Sequence, residues 1–238
     1  MSELPALRRV GHKGADHITP GNTAASFDAA LAAGVDMIEF DVLPEDMHSP
    51  ADTPLVLAHD YSHDLGAALT LEEGLAHLAS SPFTDVELDV DLKLPGYEAR
   101  VVDALRAHGL LERALVSTTF MRSLVTLRAL EPRLRLGWSV PRARRDYTQS
   151  WLYRLPAYAA IGRIKRRLPE RAREHLRAGR CDALMVQWRL VTPALVRAVA
   201  QERGELYVWT VDDAARIRRL EALGVTGVIT NDPRLFVM

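Results

Sequence analysis

Along most of the chain, short apolar runs bounded by turn residues alternate with stretches in which apolar residues recur every three or four positions. These are the two periods that separate strands from amphipathic helices. The runs predict strands over 9–12, 37–41, 55–59, 86–93, 114–117, 134–138, 183–186, 206–210 and 227–230. The longer period predicts helices over 23–33, 71–79, 97–108, 121–130, 193–201 and 212–223. Gly34, Gly109, Gly204 and Gly224 each stand just past a periodic run, where a helix commonly ends on a left-handed residue. Strand–helix alternation implies a parallel sheet, and eight such repeats imply a closed (β/α)8 TIM barrel.

Nine strands are one more than that barrel needs. Between Asp41 and Leu55 lie Pro44, Pro50 and Pro54 with no helical periodicity, so no crossover helix fits there. Without a crossover, adjacent strands pair antiparallel. The run 55–59 is therefore expected to be the return arm of a β-hairpin inserted after the second strand, standing on the barrel mouth and bringing His59 back beside Asp41.

Parity along the strands then points to chemistry. Residues two apart share a face, so Ile38, Phe40 and Val42 oppose Glu39 and Asp41. Farther on, Val86, Leu88, Val90 and Leu92 oppose Glu87, Asp89, Asp91 and Lys93. A parallel strand under helices is ordinarily apolar on both faces. Carboxylates inside it are costly unless a cation or hydrogen bonds satisfy them. In barrels of this type the chemistry sits at the carboxyl ends of the strands, where His12, Asp41, Lys93, Ser117, Trp209 and Thr230 fall.

Size and composition suit one domain over 1–238: the chain has 238 residues, 48% of them hydrophobic, and a net charge of -1. A single cysteine, Cys181, excludes an internal disulfide, and residues 1–10 lack the apolar run of a signal peptide, so a cytoplasmic location is expected. The net charge hides an asymmetry. Residues 133–180 hold 14 Lys/Arg against 3 Asp/Glu. We read this block as a basic helical insertion between the fifth and sixth barrel strands. Its first part, with Arg142, Arg144, Arg145, Trp151 and Tyr153, would overhang the mouth; a solvated helical face is the alternative.

In order, Gly11-His12-Lys13-Gly14, Pro20-Gly21-Asn22-Thr23, Glu39-Phe40-Asp41, His59-Asp60, Asp91-Leu92-Lys93, Trp209-Thr210-Val211-Asp212 and Thr230-Asn231-Asp232-Pro233 make one pattern. It resembles the glycerophosphodiester phosphodiesterase family, a group of phosphodiesterase TIM barrels. The resemblance implies that Glu39, Asp41 and Asp91 hold a divalent metal; by strand parity Asp89 is the fallback third ligand, one layer deeper in the lumen. It also implies that His12 and His59 serve as general acid and base, that Lys13 and Lys93 meet the phosphate, and that Trp209 lines the substrate pocket. An all-oxygen ligand set suits Mg2+ or Ca2+ rather than zinc. Three positions depart from the family pattern: Lys13 stands for arginine, and Gly21 and Asp91 each stand for glutamate.

The implied activity is metal-dependent hydrolysis of a small-molecule glycerophosphodiester to glycerol 3-phosphate and an alcohol. A lysophospholipase D-like enzyme and a catalytically silent barrel that binds a phosphorylated ligand are the alternatives. The basic block adds transient membrane-surface contact as an expectation, and no nucleic-acid partner is expected. His17, His48, His63 and His77 read as surface residues, with His17 near enough to the His12 turn to support it. Ser117 and Thr119 have no paired base that would make either a nucleophile, and Trp138, Trp151 and Trp188 read as packing residues.

Overall fold

In a computed structural model, eight parallel strands close into a barrel. Residues 6–62, 65–140 and 154–237 are described, the side chains of 154–160 excepted. The strands are β1 (Arg8–Gly11), β2 (Met37–Pro44), β3 (Leu55–Val56), β4 (Glu87–Leu92), β5 (Ala114–Thr118), β6 (Arg135–Val140), β7 (Ala183–Gln187), β8 (Glu205–Trp209) and β9 (Gly227–Thr230). The helices are α1 (Ala24–Ala32), α2 (Leu71–Leu78), α3 (Glu98–Ala107), α4 (Met121–Leu130), α5 (Arg154–Arg177), α6 (Pro193–Gln201) and α7 (Ala214–Leu223). Closure comes where β1 pairs in parallel with both β2 and β9, Val10 facing Met37 on one side and Ile229 on the other.

The surplus strand is β3, antiparallel to the end of β2 with Leu43 opposite Val56. It is shorter than the sequence implies. Leu57 already gives its N–H to the Leu69 carbonyl, so the ladder stops and 57–59 continue as an irregular rim. Between β6 and β7 the crossover position is filled by α5, so much of the basic block is the helix of its own repeat. Arg142, Arg144, Arg145, Trp151 and Tyr153, expected to overhang the mouth, lie outside the described residues, as does His63.

Local chemistry explains the helix limits. Thr23, Thr70, Thr192 and Asp213 each accept a hydrogen bond from a first-turn N–H, a cap typically contributing ~0.5–2 kcal/mol. The last helix was expected from 212, but Asp213 is the cap and Asp212 is engaged elsewhere. At the far ends Gly34, Gly109 and Gly224 take positive φ as expected. Gly204 does not: Arg203 is the left-handed residue after α6, with φ 57°. Gly204 answers instead to space, because a Cβ there would lie 2.7 Å from Leu176 Cδ1.

The outward strand face, including Ile38, Phe40, Leu88 and Val90, is buried under the helices. The inward face is layered. Arg8, Glu87, Arg135 and Glu205, from alternate strands, close the amino-terminal end. There Arg135 donates to Glu87 at 2.8 Å and to Glu205 at 2.7 Å, and Arg8 pairs with Glu87. Above this lies an apolar plug of Val10, Met37, Leu115, Ala183, Met185, Tyr207 and Ile229. A second polar group meets above the plug, at the carboxyl ends of the strands.

Candidate active site

The register of β2 against β4 brings the acids together, setting Glu39 opposite Asp89 and Asp41 opposite Asp91. One carboxylate oxygen from each of Glu39, Asp41 and Asp91 lies within 4.8 Å of the others, the one such group among the described residues. Glu39 and Asp41 are buried and Asp91 is half-buried. Lys93 turns inward and pairs with both Asp41 and Asp91.

Two hydrogen-bond clamps fix this group. Asn22, held at φ 58°, donates from Nδ2 to Asp41 Oδ2 at 2.9 Å and accepts from the Asp41 N–H at 3.1 Å. The Lys13 N–H donates to Glu39 Oε2 at 2.8 Å. That second bond needs the tight turn after β1. Gly11 approaches the Gly14 carbonyl so closely that a Cβ would lie 2.1 Å from its oxygen, and Lys13 itself has φ 50°.

His12 opens the same turn, with Nε2 3.8 Å from Glu39 Oε2. Its Nδ1 lies 2.6 Å from Asn231 Oδ1. The orientation of that amide is determined, because Asn231 Nδ2 donates to Asp212 Oδ2 at 2.7 Å and a carboxylate only accepts. Hence His12 donates from Nδ1, leaving the Nε2 lone pair on the side of the acids. Asp212 also accepts from the Asn231 N–H and the Thr230 hydroxyl, which anchors the chain of contacts to β9.

Electrostatics divide these groups. Burial and the charge of Asp41 push Glu39 well above the usual carboxylate range. At Asp41 burial also acts upward, but Lys93, His12 and His59 outweigh it and hold the carboxyl below its usual value. Burial opposes the charge on Lys93, yet Asp41, Asp91 and Glu39 lift it well above an ordinary lysine. His12 is lowered, chiefly by burial, so the ring is neutral at pH 7. Asp89 lies one pleat beneath Asp91. Burial and that neighbour push it up to about 8, and its Oδ1 has no hydrogen-bond partner.

A cavity of ≈ 410 Å³ opens over the group, lined by His12, Glu39, His59, Asp91, Lys93 and Trp209, among others. His59 stands on its rim, more than half exposed, with Nδ1 3.2 Å from Asp60. Burying so many acids around one lysine is the arrangement a divalent cation satisfies, and three carboxylate oxygens are the donor chemistry of a hard ion. The residues present fit such an ion.

Of the residues singled out in the sequence, His12, His59, Glu39, Asp91, Lys93 and Trp209 line one cavity, and the fully buried Asp41 pairs with Lys93 behind its wall. Lys13 is the exception: its ammonium turns to Asp16 at 3.4 Å, and its contribution to the site is its backbone N–H. The same pair accounts for Gly21, where a Cβ would lie 2.6 Å from Lys13 Cβ and 2.7 Å from Asp16 Oδ1. No larger side chain fits there unless that pair moves. Sequence reasoning gave no role to Asn22, Asn231 or Asp212. All three stand in motifs quoted for the resemblance, which was the only signal available.

Comparisons with known proteins give the family and the fold. The model of the Glycerophosphoryl diester phosphodiesterase family matches residues 12–91 and 96–235. A glycerophosphodiester phosphodiesterase of Caldanaerobacter subterraneus subsp. tengcongensis is 24% identical over 264 aligned residues, covering 96% of this chain and 95% of the relative. Among solved structures, a glycerophosphodiester phosphodiesterase from Agrobacterium tumefaciens superposes with a TM-score of 0.71 at 19% identity, covering 97% of this chain and 99% of its own. A phosphodiesterase from Oleispira antarctica, solved in complex with the product sn-glycerol-3-phosphate, has a TM-score of 0.69 at 19% identity and covers 96% and 94%. At these identities the structural likenesses speak for the fold. No described helix is long and apolar enough to cross a membrane.

Proposed function

The chain belongs to the glycerophosphoryl diester phosphodiesterase family, a family of phosphoric diester hydrolases, and on that premise we propose that it hydrolyses glycerophosphodiesters to glycerol 3-phosphate and an alcohol. The observation that carries this reading is the convergence of Glu39, Asp41 and Asp91 within 4.8 Å, beside a neutral His12, at the mouth of the barrel. The solved relative that holds glycerol 3-phosphate supports the same substrate class.

In this reading Glu39, Asp41 and Asp91 hold Mg2+ or Ca2+. Such an ion supplies charge neutralisation on the phosphoryl oxygens and a lowered pKa for a bound hydroxyl. Lys93 balances the remaining phosphate charge, and Trp209 covers the substrate. His12 Nε2 accepts the proton of the attacking hydroxyl, the glycerol 2-OH. As that oxygen bonds to phosphorus and the alcohol oxygen leaves, His59 returns a proton to the alcohol. A water then opens the cyclic phosphate with the two histidines in reversed roles. Each imidazole is worth about 10²–10⁴ in rate.

The test is release of glycerol 3-phosphate from a panel of glycerophosphodiesters with chelator and with Mg2+, Ca2+ or Mn2+ added back. Turnover should require a divalent ion, and His12→Ala and His59→Ala should each lose at least ~10²-fold in kcat. Undiminished turnover in chelator would refute the metal assignment, and full activity of either variant would refute the proton-transfer scheme. The lysophospholipid and silent-barrel alternatives have no observation in their favour.

A further inference from the structure

A second cavity, of ≈ 550 Å³, adjoins the catalytic one between the carboxyl end of β6 and α5. Thr119 and Ser139 line both, so the two cavities share a wall. The floor is apolar, made largely by the buried Trp138 and Leu168. The rim carries Arg163, Arg167 and Arg171, which are spaced four apart and therefore stand one above another on a single face of α5. Arg171 lies over the Trp138 ring, 5.3 Å from its centroid. Among the described residues none of the three has a carboxylate partner. Glu170 and Glu174, the acids of the same stretch, line a separate recess with Arg173 and Arg177. The neighbouring cavities thus differ in sign: Glu39, Asp89 and Asp91 line the first beside one lysine, whereas among the described residues the second carries three guanidiniums and no acid.

We infer that the second cavity receives the alcohol leaving group and selects alcohols that carry a negative charge of their own, such as a phosphomonoester or a carboxylate. This rests on the phosphodiesterase reading above. A scissile phosphate at the triad has Thr119 and Ser139 beside it, and the alcohol continues past them over Trp138. There an anionic end meets Arg163 and Arg167, while a quaternary ammonium meets like charge. One retained charge-assisted contact gives a preference of about tenfold. Because the arginines are exposed, added salt weakens it.

The experiment compares kcat/KM for diesters of one glycerol 3-phosphoryl group with choline, with glycerol, and with an alcohol bearing a phosphomonoester. The expected ratio of anionic to neutral substrate is about tenfold or above at low ionic strength. The double variant Arg163→Gln/Arg167→Gln should bring it near one, whereas Arg173→Gln, on the other face, should leave it unchanged. A ratio near one in the parent chain overturns the inference, as does a ratio that survives the double variant; in both cases the neutral diester is still hydrolysed. If no diester in the panel is hydrolysed, the phosphodiesterase reading itself fails and this inference falls with it.

Discussion

Lys93 is the one cation among the acids, and replacing it by methionine tests how the site balances its charge. The variant keeps the length of the side chain and removes the ammonium that pairs with Asp41 and Asp91. Asp41 is fully buried, so in the variant its carboxylate is left without its principal counter-charge. Removing one partner of a buried pair costs ~3–5 kcal/mol, and the partial exposure of Asp91 puts the expectation near the lower end. The sign with pH follows from Asp41. Its carboxyl is held below the unfolded value in the parent, so it contributes stability above about pH 4 that is lost as pH falls through the folded pKa. The gap between parent and variant should therefore be full at pH 7 and close in acid. A divalent ion bound by the triad stabilises by about 2.7 kcal/mol at a hundredfold excess over Kd, and more in the variant, where no ammonium competes for the same oxygens. Urea denaturation followed by tryptophan fluorescence, in chelator and in saturating Mg2+ or Ca2+, measures both effects. A gap that ignores both pH and metal would refute the reasoning.

Three further outcomes are expected. Asn231→Leu frees the His12 ring from its Nδ1 acceptor, so kcat for diester hydrolysis should fall about tenfold or more with little change in KM; unchanged kcat would remove the positioning role. Asp89→Asn should raise stability in chelator at pH 8, by roughly 2–5 kcal/mol, because a carboxyl whose folded value is about 8 opposes folding increasingly as pH climbs above 4. The gain should vanish near pH 3, and denaturation curves at the two pH values check it. Cys181 is buried with its thiol pushed up to about 12, so a thiol reagent at pH 8 should modify the folded chain only at its rate of opening, against rapid labelling in urea.

The barrel and most of the site were legible because both follow from periodicities of short range. Alternation around Glu39 and Asp41 revealed their inward face, and three prolines after Asp41 excluded a crossover and so implied the hairpin. What escaped depends on barrel closure or on single dihedral angles. Asn231 stands 219 residues from His12, and only the β1–β9 seam joins them. Asn22 clamps Asp41 from a left-handed conformation that no pattern of polarity encodes. Parity put Glu87 on the same face as Asp91 but could not give its depth, and it belongs to the charged layer at the opposite end. At Gly204, composition suggested a conformational reason where the cause is contact with Leu176.

That charged layer bears on how the strands find their alignment. A slip of one residue turns a strand's apolar side chains to the wrong face, and the alternating pattern forbids it. A slip of two keeps every face correct, so alternation is blind to it. Arg8, Glu87, Arg135 and Glu205 are not blind to it, since they come from four strands that are not hydrogen-bonded neighbours and meet at one height. Moving any of these strands by two residues lifts its charge into the apolar plug or drops it out of the barrel, and its partners lose their counter-ion. The ring therefore works as a depth gauge, reading the axial position of every second strand and fixing the offset at which the sheet closes.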